Sequence, residues 1–443
     1  MVYVWGSFRI LGGGTGSYMN ALFKIAGFLF FAAFFSGLFG GCRDGLESSQ
    51  KKPDRMSFDF VESSTGLPDT GRWRHGIDFF DMNLDGHLDV LAPPPRYATV
   101  EQARPHIWLG NGKGEWSSAP IRVPPLTYDY GGIAGGDYNG DGVPDMALAM
   151  HVKALNCLKG LGDNEYAAFS EGLPPTKNDF SSRAVVSADF NNDGVGDFAA
   201  VFEGPFGKKS AGGNFGAKYG AMICLGSSRG FRCHLIADEK KMNGFFSSQV
   251  VTGDVNGDGN VDIGLASLQH RLDLIVWLGD GEGDFTPFNN GLPIEHHYQS
   301  VALVDVNRDG RDDLVASITG FGPDGMMALK SYLSEKDGFK DFSHGLPDKE
   351  LFFAVAGGDL DGDGIPEIVA GSGAGGLKVF ALENGVWKQA ATPALPESGL
   401  ESIYNVYCVD VNGDGLDDVA LNFANENGSG GIRVFLSTSR RGE

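Results

Sequence analysis

Seven copies of one nine-residue phrase limit what this chain can fold into more than any other feature. They read DMNLDGHLD (81–89), DYNGDGVPD (137–145), DFNNDGVGD (189–197), DVNGDGNVD (254–262), DVNRDGRDD (305–313), DLDGDGIPE (359–367) and DVNGDGLDD (410–418). Their start-to-start spacings are 56, 52, 65, 51, 54 and 51 residues. A near-constant period of this size marks an array of supersecondary units. The phrase itself is too charged for a strand and too glycine-rich for a helix. What surrounds it is apolar and strand-like: AVVSAD, VVTGD and VALVD lead in, and MALAM, IGLAS and VALNF lead out. Each phrase therefore reads as a loop joining two β-strands.

The spacing of oxygens in the phrase suits a hard cation. Positions 1, 3, 5 and 9 are Asp, Asn or Asp, Asp, and Asp or Glu in all seven copies, with Gly at position 6. Calcium takes six to eight oxygens at about 2.3–2.6 Å, and a loop offering them on alternate residues must curl tightly, which Gly at position 6 permits. The start of an EF-hand loop has this form. The bidentate Glu of an EF-hand is replaced here by Ala92, Leu148, Ala200, Leu265, Ala316, Ala370 and Leu421. The acids at the motif positions equal the whole formal net charge of −22.

Further strand signals follow each loop. An apolar run ends in a turn, as in IWLGNGKGEW (107–116) and IVWLGDGEGDF (275–285), and a fourth run often ends in Gly-Leu-Pro, at 172–174, 291–293 and 345–347. Four strands per repeat, seven times over, predict an all-β fold: a seven-bladed β-propeller of four-stranded blades. FDFVESSTGLP (58–68) reads as a fourth strand with no blade before it, and the C-terminal repeat stops after its third. The N-terminal strand is therefore expected to close the last blade, over a propeller spanning 57–437 with a short tail at 438–443.

These loops resemble the FG-GAP/VCBS repeats of integrin α-subunit propellers and many bacterial surface proteins. The resemblance covers about residues 57–437 and implies up to seven calcium ions. Carried over position by position, the implied ligands are Asp81, Asn83, Asp85 and Asp89; Asp137, Asn139, Asp141 and Asp145; Asp189, Asn191, Asp193 and Asp197; Asp254, Asn256, Asp258 and Asp262; Asp305, Asn307, Asp309 and Asp313; Asp359, Asp361, Asp363 and Glu367; and Asp410, Asn412, Asp414 and Asp418. Glu367 departs from the pattern, since the other six copies end in Asp.

Residues 1–42 read as a signal segment, with Met19 as the expected start. One Lys precedes an apolar run and small residues before Cys42. LFGGC resembles a bacterial lipobox, which would make Cys42 a lipidated N-terminus and residues 43–56 a polar tether. This predicts an exported protein, lipid-anchored to the cell envelope. The acidic balance excludes nucleic acid as an expected partner, since phosphate binding needs a basic footprint, and the propeller is expected to be monomeric. Of the remaining cysteines, Cys224 and Cys233 flank a turn and suit a bridge, whereas Cys157 and Cys408 are expected to be buried free thiols.

In a propeller the acidic loops lie on one face. Counting back from each loop reaches the innermost strand starts on the other face. Among and beside them are Trp73, Arg74, His75, Tyr130, Arg183, Tyr298, Gln299, Phe352 and Tyr404, a mixture suited to stacking on sugars or gripping a peptide. Two long loops, 93–106 and 203–220, belong to the same face. The function expected is a calcium-stabilised surface module binding a glycan or a protein. A lyase-like enzyme using His75, His296 or His297, and a scaffold of an envelope complex, are the alternatives. The sequence contains no zinc helix or phosphate loop.

Overall fold

A computed structural model describes residues 56–438, apart from 152, 175–181, 183, 202–220, 237–248, 267–273, 294–295, 321–324, 397–398, 401 and 426–428. The fold is all-β, with seven antiparallel four-stranded sheets arranged as blades of a ring. Blade 1 runs Asp78–Phe80, Asp89–Ala92, His106–Gly110 and Trp116–Ser118, hydrogen-bonded in that order, and blades 2 to 6 repeat this meander. Blade 7 is composite. Ile403–Val409, Asp418–Ala424 and Gly430–Ser437 take Phe60–Glu62 as their outer strand, with Phe60 opposite Ser437 and Glu62 opposite Phe435. The closure read from the two ends of the repeat array is thus observed.

Burial explains the sequence pattern. The second strand of every blade, from Asp89–Ala92 to Asp418–Ala424, is buried at every residue. Such a strand is covered on both faces by neighbouring blades, so it reads as a continuous apolar run rather than an alternating one. The first strands line a central cavity of about 420 Å³, walled by Ile77, Ile133, Val185, Val251, Val301, Val355 and Val406 among others from all seven blades. Across the seam between blades 7 and 1, the Ile77 N–H donates to Tyr407 Oη at 3.0 Å and Asn422 Nδ2 donates to the His75 carbonyl at 2.6 Å.

Gly-Leu-Pro is a clasp between adjacent blades. The N–H of Trp116, Phe231, Phe339 and Trp387, each on or just before the fourth strand of its blade, donates to the carbonyl before Gly66, Gly172, Gly291 and Gly345 respectively, at 2.8–3.1 Å. All four glycines have φ between 83° and 98°. A Cβ on any of them would sit 1.8–2.1 Å from the same aromatic residue's carbonyl oxygen. The following Leu67, Leu173, Leu292 and Leu346 are buried.

Cys224 and Cys233 face each other on paired strands and form a disulfide, with Cα atoms 4.1 Å apart. Cys157 is a buried free thiol as expected. Cys408 is free but only partly buried, because its strand is an innermost one and its side chain borders the central cavity. The signal, the tether and Cys42 lie outside the described residues.

Candidate cation loops and the opposite face

Each acidic loop joins the first and second strands of its blade, and the chain in it is drawn around its own carboxylates. The position-1 Asp accepts the position-6 N–H through Oδ2 at 2.7–2.9 Å in all seven loops. The position-5 Asp accepts the position-7 N–H at 2.8–3.1 Å. Position 6 has φ of 78–87° throughout, a conformation that Gly adopts without Cβ strain. Position 4 is left-handed too, which the sequence reading missed. Gly140, Gly257, Gly362 and Gly413 adopt this conformation freely, whereas Leu84, Asn192 and Arg308 adopt it with φ of 55–60°.

The ninth residue has a role the spacing alone did not reveal. Asp89, Asp145, Asp197, Asp262, Asp313, Glu367 and Asp418 each begin the second strand and are at most 2% exposed. One oxygen of each accepts the position-2 N–H at 2.7–3.1 Å. In every blade but the sixth, the other accepts an N–H at or just past the end of the third strand at 2.7–2.9 Å. The ninth acid therefore pins the loop to the sheet as well as facing it. Burial pushes these carboxyls up, to about 6 for Asp89 and Asp197 and about 7 for Asp145, Asp262, Asp313 and Asp418. Glu367 rises to about 9, from burial first and the nearby Asp361 carboxylate second.

The loops differ in how their charge is relieved. In five of them the position-3 Asn donates Nδ2 to the position-5 Asp, from Asn83–Asp85 to Asn412–Asp414. Asn139 instead turns inward to Asp145 at 3.0 Å. Loop five carries its own cation: Arg311 pairs with Asp309 at 2.6 Å and holds that carboxyl below the usual range. Loop six has Asp361 where the others have Asn, so the side-chain amide found at position 3 of the other loops is replaced by a carboxylate. Oxygens of Asp359, Asp361 and Asp363 lie within 4.8 Å of one another, the one such carboxylate cluster among the described residues.

The opposite face carries a different chemistry over blades 7, 1 and 2. Tyr130 stacks between His75 at 4.8 Å and His151 at 4.6 Å. The Arg74 guanidinium lies 4.1 Å from the Tyr404 ring centre. The loop after the second strand of blade 1 brings Arg96 over both Tyr97, at 5.0 Å, and Tyr130, at 5.5 Å. Arg74, His75, Tyr130 and Tyr404 of the expected set thus converge. Trp73, Tyr298 and Phe352 do not join them. Trp73 packs edge-on against Trp108, and Tyr298 and Phe352 are wholly buried between blades. Bulges after Tyr298 and Phe352 offset the register, leaving Gln299 and Phe353 as the half-buried neighbours. Arg183 and the 203–220 loop lie outside the described residues. Arg72, Arg96, Tyr97 and His151 were missed; for Arg96 and Tyr97 the length of the 93–106 loop was the one signal, and Arg72 and His151 had none.

The fold and the repeated loops define the class: a closed seven-bladed propeller with one acidic loop per blade. The FG-GAP-like repeat model matches residues 97–148, 254–316 and 329–421, which hold five of the seven loops. The chain is an FG-GAP repeat β-propeller. No curated protein matches it. A fold of this kind suits a binding or adhesion module.

Proposed function

We propose that this propeller is a calcium-stabilised module of the cell envelope, lipid-anchored through Cys42, that binds a glycan or protein ligand on the face opposite its acidic loops. The observation carrying this reading is the convergence of Arg74, His75, Tyr130, His151 and Tyr404 at one side of that face. Aromatic rings with polar edges beside guanidinium groups make a ligand platform, because they bury area while keeping hydrogen-bonding atoms at the rim.

The loop residues fit calcium by the chemistry of their donors, which are carboxylate and amide oxygens on alternate residues. Positions 1, 3 and 5 would hold the ion, with the pinned ninth acid behind them. Calcium bound there neutralises converging carboxylates and ties the strand connection into a rigid corner. Loop six, with three gathered carboxylates, has the strongest claim to an ion, and loop five, where Arg311 already pairs with Asp309, the weakest.

A glycan array and an envelope pull-down, each with calcium present, test the binding reading. Saturable capture that is lost in the Tyr404→Ala and Tyr130→Ala variants, with melting unchanged, is the expected result. No ligand in either assay, or one whose capture both variants retain, would remove the platform.

A further inference from the structure

The geometry points to an anionic glycan, a chain bearing carboxylates, as the ligand class, held by an Arg72–Tyr97–Arg96 clamp. This rests on the opposite face being the binding face. The clamp is built on the 93–105 loop. Tyr97 is 69% exposed, and the guanidinium groups of Arg72 and Arg96 lie 5.3 and 5.0 Å from its ring centre. Its backbone is left-handed, with φ of 63°, a conformation costly for an aromatic residue and found mostly where surrounding structure enforces it. The enforcement is visible. The Arg96 N–H donates to the Arg72 carbonyl at 3.0 Å, and the Ala98 N–H to the Pro95 carbonyl at 3.1 Å, so the loop holds Tyr97 at its tip.

Among the described residues, no acid compensates the charge of the clamp. Neither Arg72 nor Arg96 makes an ion pair with a carboxylate among the described residues, and Arg96 Nε is buried without a hydrogen-bond partner. Asp129, next in sequence to Tyr130, is already engaged by Lys153 at 3.5 Å. In a chain with a formal charge of −22, two arginines and an exposed ring held together with no paired acid among the described residues are a departure from the average surface. Guanidinium groups match carboxylates in forked geometry, and an exposed ring stacks on the apolar face of a pyranose. A polyuronate offers both features in each sugar, and neutral glycans offer only the second.

Calorimetric titration of the calcium-loaded propeller with oligogalacturonate and with cello-oligosaccharide of equal length tests this. Oligogalacturonate is expected to bind with an affinity that falls as salt rises, while the neutral chain does not bind measurably. Arg72→Gln with Arg96→Gln should weaken binding at least tenfold. Tyr97→Asn, which tolerates the left-handed backbone and removes the ring, should weaken it comparably. Arg229→Gln, on an exposed turn of blade 3, should leave it unchanged, and melting curves of all variants should coincide. Unchanged affinity in the double arginine variant, or binding of the neutral chain alone, overturns the anionic class. If the neutral chain binds and Tyr404→Ala abolishes that binding, the wider binding-face reading survives. If neither chain binds and the array and pull-down also find nothing, both fail.

Discussion

At the scale of single residues, the most consequential are the ninth acids. Their position was legible because an acid recurred there in seven copies. Their pinning role was not, because it depends on backbone N–H groups at the end of a third strand some 15–29 residues onward. Burial has a measurable consequence. A carboxyl whose folded pKa lies above its unfolded value near 4 keeps a proton that the unfolded chain has lost. Its contribution is therefore fully present below about pH 4 and is lost as pH rises through the folded pKa. Six such aspartates titrate at about 6 to 7, Asp78 at about 6 and Glu367 at about 9. His106, lowered by burial, acts in the opposite sense. In EDTA the melting temperature is expected to fall steadily from pH 5 to pH 8, and less steeply with calcium. A flat or rising profile in EDTA would mean that these carboxyls are not buried as described.

At the scale of elements, the second-strand runs were legible because burial on both faces removes alternation. The candidate ligand residues were only half legible. Counting back along a regular strand placed Tyr298 and Phe352 at the mouth, and a one-residue bulge in each strand put their rings in the core instead. The Arg72–Tyr97–Arg96 arrangement could not be read at all, since it depends on where a long loop lands relative to the preceding strand start. The Gly-Leu-Pro clasp was visible as a recurring word, but its cause is a close approach between blades. Gly345→Ala is expected to destabilise by about 1–3 kcal/mol, combining a strained φ with a methyl group 2.1 Å from the Trp387 oxygen. Gly385→Ala, at a hairpin turn with φ of 76° and open space around it, should cost less. Urea unfolding of the two variants checks the ordering. Equal midpoints would show that the clasp yields freely.

At the scale of the whole molecule, the period, the loop chemistry and the unmatched strands at the two ends made a closed ring legible before any coordinates. Closure is concentrated around the N-terminal strand of blade 7. Phe58 and Phe60 are buried there, the Phe58 N–H donates to the Ala391 carbonyl of blade 6, and Trp116 Nε1 of blade 1 donates to the Ser63 carbonyl. Deleting residues 57–68 should expose the edge of Gly430–Ser437 and drive self-association. Light scattering checks this, and a monomer with unchanged melting would refute the closure. As proposed, the seven acidic loops are cation sites that rigidify the ring. At millimolar calcium and a site Kd near ~10⁻⁴ M, each site adds roughly 1.4 kcal/mol, so seven together approach the stability of a whole domain. The most direct test is thermal melting of the purified propeller in EDTA, in magnesium and in calcium, with elemental analysis of the protein as isolated. Bound calcium, a melting temperature tens of degrees lower in EDTA, and recovery with calcium far beyond that with magnesium are the expected results. Superimposable curves and no bound calcium would contradict the proposal and leave the loops as turns.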